Sequence, residues 1–400
     1  MKLQIFALIL AANLLVSCKP SSNNESGKQK PAQDTSIQSK KNVSREYHID
    51  LNDLARFYAG MKPEHDSTLI NLSKDSIWIK HSQFLTAGFE SIEKNRYTVI
   101  RKWRDEELKA ANSSGIKTLY YPLSGPDFLN AFELFPNHEN YIMVALEPSG
   151  IIKDLSKMKR PDLKTYLSNI SSSLADIFKR SYFITRKMSG DFSRWKIEGN
   201  LPTMMVFLAR TGNTIKGITR IAIDSNGNKL EFHITDSVPK KYISRGVQID
   251  FVQGDETKER HLYYLSTNLG DIFYEGPGLD VNKGFIKWVQ GFGEFNSYCK
   301  AASYVLHYGT FSLARNLVLN QSRFHLQDDS GIAYHYFSKK NWKFKYYGKY
   351  SHPIAEFGKI YEKDLAHDML TDSANVKDIP FKLGYHWGQG TVNLLLAERR

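Results

Sequence analysis

Apolar side chains between residues 50 and 210 recur at the three-to-four-residue spacing of helices that bury one face. Leu51, Leu54, Ala55, Phe57 and Tyr58 predict a short helix behind Asp50, whose carboxylate can cap the first turn. Phe84, Leu85, Phe89, Ile92, Tyr97, Ile100 and Trp103 predict one long helix over 82–111, with Gly115 just beyond it. Leu163, Tyr166, Leu167, Ile170, Leu174, Ile177 and Phe178 predict another over 161–179, with Pro161 in its first turn, and 202–209 predicts a further one. The short apolar runs 118–123 and 141–146 read as buried strands on either side of an amphipathic helix at 128–134.

Near Gly212 the period drops to two. Ile215, Gly217, Thr219, Ile221 and Ile223 alternate with their neighbours, Asn226-Gly227 follows, and Leu230, Phe232 and Ile234 alternate again, which predicts a hairpin. Residues 247–252 and 261–266 predict a second. Beyond it, 284–292 and 297–319 read as helices, 334–337 and 340–346 as strands, and 393–397 as a closing strand. Helices and strands arriving in blocks predict an α+β fold, with helices flanking an antiparallel meander. Segments 47–212 and 213–400 read either as a mainly helical part followed by a β-rich part or as one domain. Tyr120-Tyr121-Pro122-Leu123-Ser124 has an echo in Tyr263-Tyr264-Leu265-Ser266, which raises the idea of two related halves.

The first 46 residues follow neither period. Lys2 precedes an apolar run, Leu3–Val16, broken by Gln4 and Asn13; it is shorter than the roughly 20 residues of a membrane span and fits a secretory signal. The run closes in Leu15-Val16-Ser17-Cys18, and 19–46 is almost bare of apolar side chains, as in a flexible tether. This ending resembles the lipobox of bacterial lipoproteins. The resemblance implies a signal peptide of residues 1–17, cleavage before Cys18, and acylation of its thiol and new amino group, with palmitate as the expected label. Lys19 stands where aspartate would favour inner-membrane retention, so the resemblance implies lipid-anchored attachment to the outer membrane.

Composition narrows the rest. A chain of 400 residues with 41% hydrophobic and 13% aromatic content can bury a large core. Cys18 and Cys299 are its cysteines; with Cys18 acylated, Cys299 has no disulfide partner, and cysteine-rich zinc sites are excluded. Cys299 falls within the expected 297–319 helix as a small apolar thiol, since a catalytic thiolate needs a base or a positive field nearby. Lysine and arginine exceed aspartate and glutamate by 54 − 42 = 12, or by 11 once Lys2 is removed with the signal. That balance suits anionic headgroups, an anionic envelope polymer, a glycan or an envelope protein, whereas the export signal and the lack of a recognition motif exclude nucleic acid. No motif calls for a cofactor.

Three polar loops carry candidate chemistry. In Leu123-Ser124-Gly125-Pro126-Asp127, Ser124 could be a nucleophile activated by His138, but the Gly-x-Ser-x-Gly elbow is absent, and Ser124 or Asp127 serves equally as a helix cap. Glu147 lies in Leu146-Glu147-Pro148-Ser149-Gly150. Asp328 and Asp329, in Gln327-Asp328-Asp329-Ser330-Gly331, could hold a hard cation with help from His335, or form a solvated turn. The remaining histidines, among them His307, His325, His352, His367 and His386, form no compact ligand motif. Tyr385-His386-Trp387-Gly388 could line a carbohydrate platform or close the core, and Lys339–Tyr347 interleaves bases with rings, as a polyanion surface or as one wet strand face.

Tyr121-Pro122-Leu123-Ser124-Gly125-Pro126-Asp127-Phe128, Leu146-Glu147-Pro148-Ser149-Gly150 and Leu326-Gln327-Asp328-Asp329-Ser330-Gly331-Ile332 together resemble a family of uncharacterised bacterial envelope proteins. The resemblance covers 50–397, carries over no activity, and implies that the three loops meet. Two functions fit: a binding or assembly component of the envelope, or an envelope hydrolase using Ser124, Asp127, Glu147, Asp328, Asp329 and His335, with or without a divalent cation.

Overall fold

A computed structural model describes residues 50–183, 199–271, 283–373, 375–388 and 390–400. The expectations for the signal peptide, Cys18 and the tether fall outside the described residues. Residues 48–400 gather into one compact unit.

The unit is built on ten strands: β1 (Thr118–Tyr121), β2 (Asn140–Ala145), β3 (Asn213–Ile223), β4 (Lys229–Phe232), β5 (Ser244–Gln253), β6 (Arg260–Ser266), β7 (Phe295–Cys299), β8 (Ser322–Gln327), β9 (Trp342–Gly348) and β10 (Asn393–Arg399). They form a single sheet in the order β4-β3-β5-β6-β2-β1-β7-β8-β10-β9. The centre, β6-β2-β1-β7-β8, is parallel, and both wings are antiparallel. Segments 47–212 and 213–400 therefore share one sheet: β1 and β2 come from the first and the other eight strands from the second. The fold is α+β, and both predicted hairpins form the β4–β6 wing.

Helices cover both faces. Along β1, Leu119 and Tyr121 join one apolar cluster and Tyr120 the other; along β2, Tyr141 and Met143 oppose Ile142 and Val144. The larger cluster is closed by α1 (Leu51–Tyr58), α3 (Ser76–Ile92), α4 (Thr98–Glu107), α6 (Phe128–Leu134), α7 (Arg160–Arg180) and α8 (Leu201–Arg210), with α2 (Ser67–Leu72) and α5 (Lys109–Asn112) as short connectors. The smaller is closed by α9 (Lys283–Gln290) and α10 (Ser312–Gln321). A third patch sets α11 (Lys363–Thr371) against Tyr334, Tyr346 and Leu395. Two-sided cover explains why the central strands lack alternation.

Three expectations need correction. The long helix over 82–111 is broken twice: α3 and α4 are joined by a π turn, Glu93–Tyr97, whose extra residue re-phases the face so that Tyr97 reaches Asn130 at 3.2 Å, and α5 starts anew after Leu108. The 297–319 helix begins only at Ser312; its first residues are β7, fully buried and so without the alternation that marks a strand. Residues Tyr334–Tyr336 form a 3-10 turn instead of a strand, and the strand of that region is β8.

Candidate ligand-binding site

The parallel strands end on one edge, and their return connections leave it in opposite directions. From β1 the chain returns through α6 on one face to β2; from β7 it returns through α10 on the other face to β8. Adjacent β1 and β7 thus bracket the point where the winding reverses, and in open α/β sheets ligands occupy the crevice outside the strand ends there.

Residues just past those ends fill the crevice with charge. Asp127 caps α6, accepting from Asn130 N–H, and also meets Asn130 Nδ2 at 2.7 Å and Tyr121 OH at 3.1 Å. Lys300, next after β7, places Nζ 2.7 Å from Asp127 Oδ2, and each side chain is only 2% exposed. The same ammonium donates to the Ser181 carbonyl at the end of α7. Burial pulls the Lys300 ammonium down, and the Asp127 carboxylate opposes that shift.

The backbone is strained around this pair. The non-glycine residues with left-handed φ among those described are Leu123, Ser181, Ala301, Ser303 and Tyr304. All five border Lys300 or follow β1. Such conformations cost about 1–3 kcal/mol each and persist only where the surroundings fix them. In the segment after Lys300 the Asp-Asp-Ser loop after β8 does the fixing. Asp328 Oδ2 accepts from Ala301 N–H at 3.0 Å, Ser330 Oγ from Ala302 N–H at 2.7 Å, and Asp329 Oδ2 from Tyr304 OH at 2.6 Å. Asp328 also receives Ser330 Oγ at 2.5 Å; Asp329 receives Asn393 Nδ2 at 3.0 Å and lies 3.2 Å from His386 Nε2. Burial, then the neighbouring Asp329 carboxylate, raises the Asp328 carboxyl above its usual range. Gly384 must approach closely: with φ +63°, a Cβ there would lie 2.3 Å from Asp328 Oδ2.

The sequence candidates therefore divide. Asp127 and Asp328 converge around Lys300, with Asp329 holding Tyr304 nearby, but their oxygens are taken by N–H, O–H and ammonium donors. Ser124 accepts from Val144 N–H at 3.1 Å and donates to the Gly125 carbonyl, tying β1's loop to β2. His138 is not its base. It precedes the amino end of β2 and contacts Asn296 at 3.0 Å, and the four residues from Asn140 to Val144, at about 3.3 Å each, put roughly 13 Å between them. Glu147 lies beside β6, where its carbonyl accepts from Tyr264 OH at 2.9 Å. Among the described residues, the His and carboxylate group with ligand atoms within 4.8 Å of one another is Asp250, Glu259 and His261 on the β5–β6 hairpin, not the Asp-Asp loop. Cys299 is a free, fully buried thiol pushed well up by its apolar surroundings. A Ser297–His325 contact of 2.6 Å looks like a dyad, yet it is sealed within the sheet and runs on to Gln327.

An open cleft adjoins the crevice. A cavity of about 380 Å³ lies beyond β7 and β8, lined by His307, Tyr334, His335, Tyr361, Glu362, Lys363 and Asp364 among others, within the usual size of small-molecule pockets. Glu362 sits at the start of α11, 8% exposed; Oε2 accepts from Tyr334 N–H, while Oε1 has no hydrogen-bond partner. His307 Nε2, on another residue of the lining, also lacks a partner, and the two buried atoms lie 3.8 Å apart. Burial, reinforced by Asp329, pushes the Glu362 carboxyl up to about 8. Burial also pulls the His307 imidazole down to about 4, against a hydrogen bond to the Asp329 backbone. At neutral pH the carboxyl holds a proton and the imidazole is neutral, one a donor and the other an acceptor. His335, exposed, reaches this cleft; Glu362 and Tyr361 carried no sequence signal, being single residues in an unremarkable stretch.

No protein-family model matches the chain, and neither curated proteins nor solved structures gave a match.

Proposed function

We propose that the chain is a lipid-anchored envelope protein, acylated at Cys18 and held at the outer membrane, which binds an envelope ligand in the cleft beside the β1/β7 crevice. The lipobox-like segment supports the location. One observation carries the binding: two buried polar atoms, Glu362 Oε1 and His307 Nε2, stand unpartnered 3.8 Å apart on residues that line one cavity. A buried polar atom left unpaired costs about 1–3 kcal/mol, which a bound group can recover. The Asp328–Asp329 loop borders this cleft through the hydrogen bond between His307 and the Asp329 backbone.

Hydrogen exchange on the full chain in detergent, with and without a fractionated envelope extract, tests the binding. Protection concentrated at 333–336 and 360–364 is the expected result; no fraction protecting those residues would refute it. For the anchor, Cys18→Ala should shift the chain to the soluble fraction and abolish palmitate labelling, and labelling that survives the change would contradict the assignment.

A second reading, hydrolysis, has one observation in its favour: Glu362 and His307 are adjacent and hold opposite protonation roles at neutral pH, as a general acid and base do. It moves the candidate chemistry from Ser124 and Asp127 to these two residues. Turnover of an envelope polymer that Glu362→Gln abolishes while binding persists would favour it.

A further inference from the structure

We propose that the cleft takes a neutral saccharide, with one sugar hydroxyl held between Glu362 and His307 and the sugar ring laid against Tyr361. This rests on the reading of the cleft as the ligand site and assigns its chemical class.

The hydroxyl follows from the opposed atoms. Oε1 and Nε2 are 3.8 Å apart, too far to bond each other and close enough to share one oxygen. A protonated carboxyl donates and a neutral imidazole accepts, so the shared oxygen must accept from one and donate to the other. A hydroxyl does both, in the place a water would otherwise take; a carbonyl, an ammonium or a carboxylate does not.

Tyr361 supplies the second, independent observation. The residue is 45% exposed at the cleft wall, and its ring lies nearly parallel to that of the buried Tyr350, with centroids 6.0 Å apart and planes 15° apart. An exposed ring braced from behind presents a fixed apolar face, and the C–H side of a sugar is an apolar face bounded by hydroxyls. Hydroxyl-rich ligands also suit the rim, where exposed His335, Lys363 and Asp364 stand ready for further polar contacts.

Charge argues for a neutral ligand. The groups facing Glu362 and His307 from neighbouring elements are Asp329 beyond β8, Asp364 on α11, His335 on the turn after β8, and Arg315 on α10. Asp329 and Asp364 both act on Glu362, and an anionic sugar would add a third negative charge beside it. Binding should hold while Glu362 keeps its proton and His307 stays neutral, and weaken above about pH 8, where both would accept and neither donate.

The test is calorimetric titration of the full chain in detergent with glucose, galactose, N-acetylglucosamine and their neutral oligomers. A parallel arm screens sugar-free fragments by NMR, read at 333–335 and 360–364. At least one saccharide should bind. Tyr361→Ala, an exposed change that leaves the core intact, and Glu362→Leu should each weaken it about tenfold or more, while Glu362→Gln, whose amide still donates, should stay within about threefold. Failure of every sugar to bind, or affinities unmoved by Tyr361→Ala and Glu362→Leu, would overturn the assignment. If sugar-free fragments shift the cleft residues and sugars do not, the saccharide class falls and the ligand cleft stands. If neither kind of probe shifts them, both fall.

Discussion

Replacing Glu362 with glutamine removes one titration while preserving shape. In the fold this carboxyl is 8% exposed, bonded through one oxygen to Tyr334 N–H, and pushed up to about 8 from an ordinary 4.5 by burial and the Asp329 carboxylate. Between those two pH values the folded chain keeps a proton that the unfolded chain has released. Stability is therefore fully present below about pH 4.5 and declines as pH rises through 8. At about 1.36 kcal/mol per pH unit, the loss on full ionisation reaches about 5 kcal/mol, against roughly 5–15 kcal/mol for a typical domain. Urea denaturation of wild type and Glu362→Gln at intervals from pH 4.5 to 9 isolates the effect, because every other titration is common to both chains. Wild type should lose several kcal/mol relative to the variant between pH 5 and 8.5. A difference that stays flat across that range would refute the buried, protonated Glu362 on which the donor role depends.

Other consequences follow from the same geometry. Lys300→Met takes the ammonium away from the buried Asp127 carboxylate and should cost about 3–5 kcal/mol in urea denaturation. Gly384→Ala, forced against Asp328 at positive φ, should cost about 1–3 kcal/mol, read as a lowered melting temperature. Ser124→Ala should cost about 1 kcal/mol, for the lost hydrogen bonds to Val144 and Gly125, and leave ligand binding unchanged. Burial pulls His81, His138 and His325 down to about 4 from an ordinary 6.5, so stability present above pH 6.5 should be lost as pH falls towards 4, checked by denaturation and by imidazole NMR titration.

Legibility in the sequence tracked one-sided burial. The β3–β4 and β5–β6 hairpins, α6, α7 and the capping roles of Asp50 and Asp127 could be read because one face is wet or a cap precedes a helix. The parallel centre was harder. β7, Phe-Asn-Ser-Tyr-Cys, and β8, Ser-Arg-Phe-His-Leu-Gln, lie under both helical layers, and their polar side chains pair with one another inside the sheet, as Ser297 does with His325. Neither period nor polarity then marks a strand. The three polar loops were visible as motifs, and two of them meet at Lys300, but their conspicuous residues hold the strained backbone in place. Glu362 and His307 face each other only because β7's loop and the start of α11 are brought together from 55 residues apart. Local sequence carries no trace of such a meeting.

A crystal structure of the full chain with its tightest-binding neutral saccharide tests the central claim most directly. The account predicts a sugar hydroxyl within hydrogen-bond distance of both Glu362 Oε1 and His307 Nε2, with the ring against Tyr361. A saccharide bound elsewhere, or a cleft in which those two atoms remain unpartnered beside it, would contradict it.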